Sequence, residues 1–215
     1  MSEPTKRRLR IAAALGIVLV SLPAQDREPP VSEKVGTLVS RLETGGAAEA
    51  WKVGDELARL GDRAVPHIEK ALDAASQDHV KLGAARALIA LRDRRKAAKA
   101  LVTLVKESQD DRARIMAIDL MTDRDLDEAG GDLAKLLEQP LPGQVKARLA
   151  RAVHALTEDR QRQAKDALLA LVQSAEPDAR FAGAVALAEI KDYESAKPHL
   201  EHFRSDPGER GQIAA

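Results

Sequence analysis

Five stretches of this chain lie over one another: EAWKVGDELARL (49–60), HVKLGAARALIAL (79–91), RARIMAIDLM (112–121), QVKARLARAVHAL (144–156) and DARFAGAVALAEI (178–190). Laying them in register aligns one apolar anchor in each, Leu57, Leu88, Met121, Val153 and Leu187, at steps of 31, 33, 32 and 34 residues. Apolar and small residues recur around each anchor with helical spacing, which predicts a helix that buries one face. Self-similarity at this period is the mark of a repeat architecture, in which each unit leans on its neighbours.

A second helix follows each of four anchors: AVPHIEKAL (64–72), AAKALVTLV (97–105), AKDALLALV (164–172) and AKPHLEHF (196–203). Pro66 and Pro198 fall at equivalent places in two of them, inside the first turn, where the missing N–H breaks no intrahelical bond. The unit is therefore helix, short acidic turn, helix, short loop. A pair this small cannot bury its own apolar stripe, so neighbouring pairs must stack. Ahead of the first pair, Val35, Leu38, Val39 and Leu42 sit at i, i+3, i+4 and i+7, which predicts a capping helix over 31–44 that Thr44-Gly45-Gly46 stops. The repeats are expected at about 47–76, 77–108, 109–141, 142–175 and 176–205, with the start of a sixth at 206–215.

Two polar columns accompany the anchors. A basic residue stands seven positions before four of them, as Lys81, Arg114, Lys146 and Arg180. An acid follows five positions after, as Asp62, Asp93, Glu158 and Asp192, whereas the third repeat has Leu126 between Asp125 and Asp127. Asp78 and Asp111 lie three residues before Lys81 and Arg114, a spacing that favours ion pairs on one helix. The basic column therefore reads as structural.

The Val/Ala-Lys/Arg start, the small residues before Ala-Leu, and the Ala-Val-Pro-x-Ile second helix resemble HEAT repeats. The nearest subtype is the short one of phycobilin-lyase-like and exported bacterial HEAT proteins. The resemblance covers residues 31 to 215. It implies an all-α fold, a right-handed α-solenoid of about five HEAT-type helical hairpins behind an N-terminal capping helix. It also implies an interaction scaffold whose second helices line the concave side. Lys70, Thr103, Lys135 and His202 align there beside Val102 and Leu169. This mix of cationic and apolar side chains suits a protein or peptide partner.

Two departures from the pattern carry expectations. Gly130-Gly131 stands where the second helix of repeat three should begin, and glycine disfavours a helix interior, so that helix is expected to be short and to start near Asp132. At the other end, Asp206-Pro207-Gly208-Glu209-Arg210 reads as the opening of a further repeat, which suggests the front part of a longer protein.

The N-terminus reads as an export signal. Lys6, Arg7, Arg8 and Arg10 precede the apolar run 11–22, too short to span a bilayer comfortably, and Pro23-Ala24 offers a small residue for cleavage. An uncleaved anchor is the alternative; either way the remainder faces the exported side, with 25–30 (QDREPP) as a linker. Of 34 basic and 34 acidic side chains, the first 24 residues hold four basic ones and Glu3, so the mature chain carries a net charge of −3. That balance, with only 2% aromatic residues for base stacking, argues against a nucleic-acid partner.

The absence of cysteine excludes disulfides, thiolate metal sites and cysteine nucleophiles. No G-x-S-x-G, HExxH, P-loop or G-x-G-x-x-G is present. His199 and His202 share a helix face, but a metal site needs three or four ligands, and His67, His79 and His154 fall in other repeats. No cofactor, metal or catalytic residue is assigned. The expected function is a non-catalytic protein- or peptide-binding scaffold outside the cytoplasm. The alternatives are an accessory domain of a larger exported enzyme and a lyase-type chromophore chaperone.

Overall fold

In the computed structural model, which describes residues 28–204, ten α-helices follow one another and no strand occurs among those residues. They are α1 (Val31–Ala58), α2 (Val65–Ala74), α3 (Asp78–Ala90), α4 (Arg94–Glu107), α5 (Asp111–Asp123), α6 (Gly130–Leu136), α7 (Gly143–Leu156), α8 (Gln161–Leu171), α9 (Pro177–Glu189) and α10 (Tyr193–Phe203). The five anchors Leu57, Leu88, Met121, Val153 and Leu187 are all fully buried, at 0% exposure. The residues proposed above as export signal, as the beginning of the linker and as the opening of a sixth repeat lie outside the described residues.

Sequential pairs form the hairpins. The second half of α1 pairs with α2, then α3 with α4, α7 with α8, and α9 with α10, while the short α6 packs mainly on α7, giving an α-solenoid of HEAT-like hairpins. Successive hairpins join through their first helices where α1 packs on α3, α5 on α7 and α7 on α9, whereas α3 touches α5 only lightly and that junction is made mainly by α4 on α5. The second helices instead lean on their own partner and on the first helix of the next repeat, as α4 does on α5 and α8 on α9. Backbones of neighbouring second helices approach closely only where α4 meets α6.

The capping segment and the first helix of repeat one are the two halves of α1, and Gly46 bends the chain between them at φ 67°, ψ −166°. That backbone conformation is open to glycine and costly for other residues. Arg41 on the first half reaches across the bend to Glu49 and Glu56 on the second.

Small residues let the first helices come close. A Cβ added to Gly83 would lie 2.7 Å from Leu42 Cδ2 and 3.2 Å from the Ala50 carbonyl, and one on Gly54 would lie 2.9 Å from the Gly83 carbonyl. With so few aromatic residues, a core of Ala, Leu and Val fills at native density only when helices approach this closely.

The turn after the first helix repeats as well. The carbonyls of the anchors Leu88, Met121 and Leu187 each accept the N–H of the residue five further on, Asp93, Leu126 and Asp192, all at 2.9 Å. This closure requires a left-handed residue one position earlier. Arg92 (φ 67°), Asp125 (φ 50°) and Lys191 (φ 67°) fill it, and Gly61 (φ 75°) stands at the same place in repeat one. Thr157 of repeat four does not, with φ −146°.

The third repeat corrects one expectation. Its second helix is short, seven residues, but it begins at Gly130 and not near Asp132. Gly130 is buried inside the first turn, and a Cβ there would fall 2.4 Å from Thr157 Oγ1. The glycine thus serves close approach between repeats three and four, whereas Gly131 beside it is exposed with open space around it.

Candidate functional site

The six residues singled out from the sequence are distributed along the second helices. Lys70 is exposed on α2, and Val102 and Thr103 are half-buried on α4. Lys135 is exposed on α6, Leu169 is half-buried on α8, and His202 is exposed on α10. They form a row across five repeats, not one pocket. Thr103 Oγ1 donates to the Lys99 carbonyl at 2.9 Å, and Lys135 is held by Asp132 at 2.8 Å. Val102 and Leu169 pack against the core, and the His202 ring meets Phe203 edge-on at 5.3 Å.

One of the six opens onto a groove. Thr103 lines a trough of about 660 Å³ between α2 and α4, with Leu72, Ala75 and Ala100 as apolar surface. Its charged lining comprises Lys81, Arg95, Lys96 and Lys99 against Glu69, Asp73 and Asp93. Lys96 bridges the two helices, 3.0 Å from Asp73 and 3.8 Å from Glu69. The hydrogen bond to Asp73 holds its ammonium above the ordinary lysine range.

The basic column follows its expected pairing in part. Arg114 meets Asp111 at 3.0 Å as the spacing implies. Asp78 turns elsewhere, accepting from Ser108 Oγ at the far end of its hairpin, which leaves Lys81 to line the groove. Arg180 donates to the Ser174 and Ala175 carbonyls, both at 3.0 Å, and so fastens the loop before its own helix.

A second charged series, two residues before the anchors, escaped the reading of the sequence. It runs Asp55, Arg86, Asp119, Arg151 along the first helices. Arg86 meets Asp55 at 2.8 Å and lies 5.2 Å from the Trp51 ring centroid. Arg151 meets Asp119 at 3.1 Å and Glu189 at 3.3 Å, so three successive repeats are stitched together. Burial pushes the Asp119 carboxyl up, against the pull of Arg148 and Arg151, whereas the hydrogen bond from Arg86 holds Asp55 low. Alternation of sign at a fixed place in the first four repeats was the available signal.

Beside that series lies a groove of about 420 Å³ on the first-helix side, where Ile115, Ala147, Phe181 and Val185 meet Arg148 and Glu189. No group of three or more His, Asp or Glu side chains converges as a metal site among the described residues. None of the described helices is long and apolar enough to cross a membrane.

The family model for HEAT repeats matches residues 132–215. No curated protein matches the chain. That match and the stack of helical hairpins together support a HEAT-repeat protein.

Proposed function

We propose that this protein is a non-catalytic scaffold that binds a protein or peptide along its second helices and acts outside the cytoplasm. HEAT repeats are commonly protein-interaction scaffolds, and one observation supports that use of this chain. Helices α2 and α4 leave an open trough between them, lined by both charged and apolar side chains. Such a surface suits an irregular polypeptide better than a small molecule, which favours enclosed and mostly apolar cavities. Export rests on the basic cluster and apolar run of residues 1–24, and on the resemblance of the repeats to those of short exported HEAT proteins.

Affinity capture from the exported fraction tests the scaffold, with the full processed chain as bait. A partner should be retained by the wild type and by Arg112→Glu on the first helices, and lost when Lys70, Thr103 and Lys135 are changed together to Glu. Retention indifferent to those three changes would place the binding surface elsewhere. Intact mass of the exported protein should show loss of residues 1–24.

A further inference from the structure

The helix α4 is charged in a way that its own stability does not explain. It carries Arg94, Arg95, Lys96, Lys99 and Lys106 against a single acid, Glu107, in a chain of zero formal net charge. Its first turn holds no acid and three cations. That is the positive end of the helix dipole, where acids are favoured and cations are not. Asp93 at the N-cap offsets part of this, and a local rule broken beyond what its neighbours compensate is expected at functional sites.

Two of those three cations have structural work. Arg94 reaches into the next repeat, donating to Glu128 at 3.0 Å, to the Arg124 carbonyl at 3.1 Å and to the Asp125 carbonyl. Lys96 engages Asp73 and Glu69 of α2. Arg95 has no such role. Its side chain, like those of Lys99 one turn on and Lys81 on α3, makes no hydrogen bond or ion pair among the described residues. All three line the trough between α2 and α4. Arg95 and Lys99 are exposed, and Leu72 and Ala100 supply apolar surface beside them.

Resting on the scaffold reading, we propose that this trough takes an acidic segment of the partner protein, its carboxylates on Arg95, Lys99 and Lys81 and an apolar side chain against Leu72 and Ala100. Nucleic acid fits the same lining poorly. The trough contains no aromatic side chain on which a base could stack, and Glu69, Asp73 and Asp93 along it would repel an unbroken run of phosphates. A polypeptide can set carboxylates against the cations and leave neutral residues opposite the acids.

Fluorescence anisotropy with the full chain tests this. The probes are a short labelled peptide of alternating glutamate and leucine, its lysine-leucine counterpart, and a labelled single-stranded DNA oligonucleotide. The acidic peptide should bind, the basic one should not, and affinity should weaken as NaCl rises from about 0.05 M to about 0.3 M. R95E with K99E should reduce affinity by at least about tenfold, as expected for opposed charges at contact, while R112E, at an exposed position on the first helix α5, leaves it within about twofold. Circular dichroism must show both variants folded; should the double variant unfold, R95Q and K99Q in its place keep the exposed positions polar and should still weaken binding. No binding of the acidic peptide, equal loss from R112E, or preference for DNA each overturns the proposal. A captured partner that is lost with Lys70, Thr103 and Lys135 changed but kept by R95E/K99E would leave the scaffold standing and sink the trough alone.

Discussion

Across the first repeat junction, Arg86 grips Asp55 with two hydrogen bonds, Nε to Oδ1 at 2.8 Å and Nη2 to Oδ2 at 3.1 Å. The pair joins residues 31 apart on packed first helices, and the same guanidinium lies over Trp51. A fork-on-carboxylate geometry is the strong form of such a pair, but the Asp55 side chain is 47% exposed, so solvent screening weakens it. Arg86→Ala and Asp55→Ala in a double-mutant cycle should therefore show a coupling of about 0.5–1 kcal/mol. Trp51 is the only tryptophan, and its fluorescence reports this junction directly. Zero coupling, with an unchanged Trp51 spectrum in Arg86→Ala, would reduce the pair to decoration.

The left-handed turn residues give a prediction of the opposite sign. Arg92 and Lys191 hold φ 67° without being glycine, a conformation that costs a side-chain-bearing residue roughly 1–2 kcal/mol. Glycine relieves that cost but adds freedom to the unfolded chain. Arg92→Gly and Lys191→Gly should each stabilise the protein by about 0.5–1 kcal/mol in urea unfolding. Thr157→Gly, at the same place in repeat four but with φ −146°, should destabilise it. Loss of stability in all three would refute the assigned turn geometry.

Adjacent glycines in α6 should respond in opposite directions. Gly131→Ala enters open space on an exposed helix surface and should stabilise by about 0.5–1 kcal/mol. Gly130→Ala drives a methyl to 2.4 Å from Thr157 Oγ1 and should destabilise by about 1–3 kcal/mol. Thermal melts of the two variants decide the matter. Equal shifts of one sign would mean that only helix propensity is at work.

His154 sets a pH dependence. Burial holds its imidazole below the ordinary histidine value of 6.5, so the folded state favours the neutral ring. Its contribution is present above pH 6.5 and is lost as pH falls from there through the lowered folded-state value, because the unfolded chain binds the proton first. Urea midpoints should therefore decline below pH 6.5, and His154→Gln should flatten that limb. A profile unaltered by the substitution would assign the decline to other groups.

How much of this was legible beforehand follows from where the information sits. The hairpin stack was readable because anchors such as Leu88 and Leu187 recur in register, and repeat packing obliges them to be buried. Of the positive-φ turn positions only Gly61 was announced by glycine, and its ψ of −173° sets it apart; the three closed turns rest on Arg92, Asp125 and Lys191, which no glycine announces. Gly130 was read as a helix breaker, whereas close contact with Thr157 is its reason, a relation between repeats that propensity does not encode. The trough between α2 and α4 was only half visible. Thr103 was found through alignment of second helices, while Arg95, Lys99 and Lys81 become neighbours only once two repeats are set side by side.

The division of labour between the two sets of helices has a mechanical consequence. First helices interlock at three of the four junctions and act as a spine there, whereas α2 and α4 are tied across their trough mainly by the ion pairs of Lys96. A spine on one side and loose ribs on the other bends most easily by spreading or closing the ribs. A load that spreads α2 from α4 would therefore meet the Lys96 ion pairs before it reached the buried anchors of the first helices.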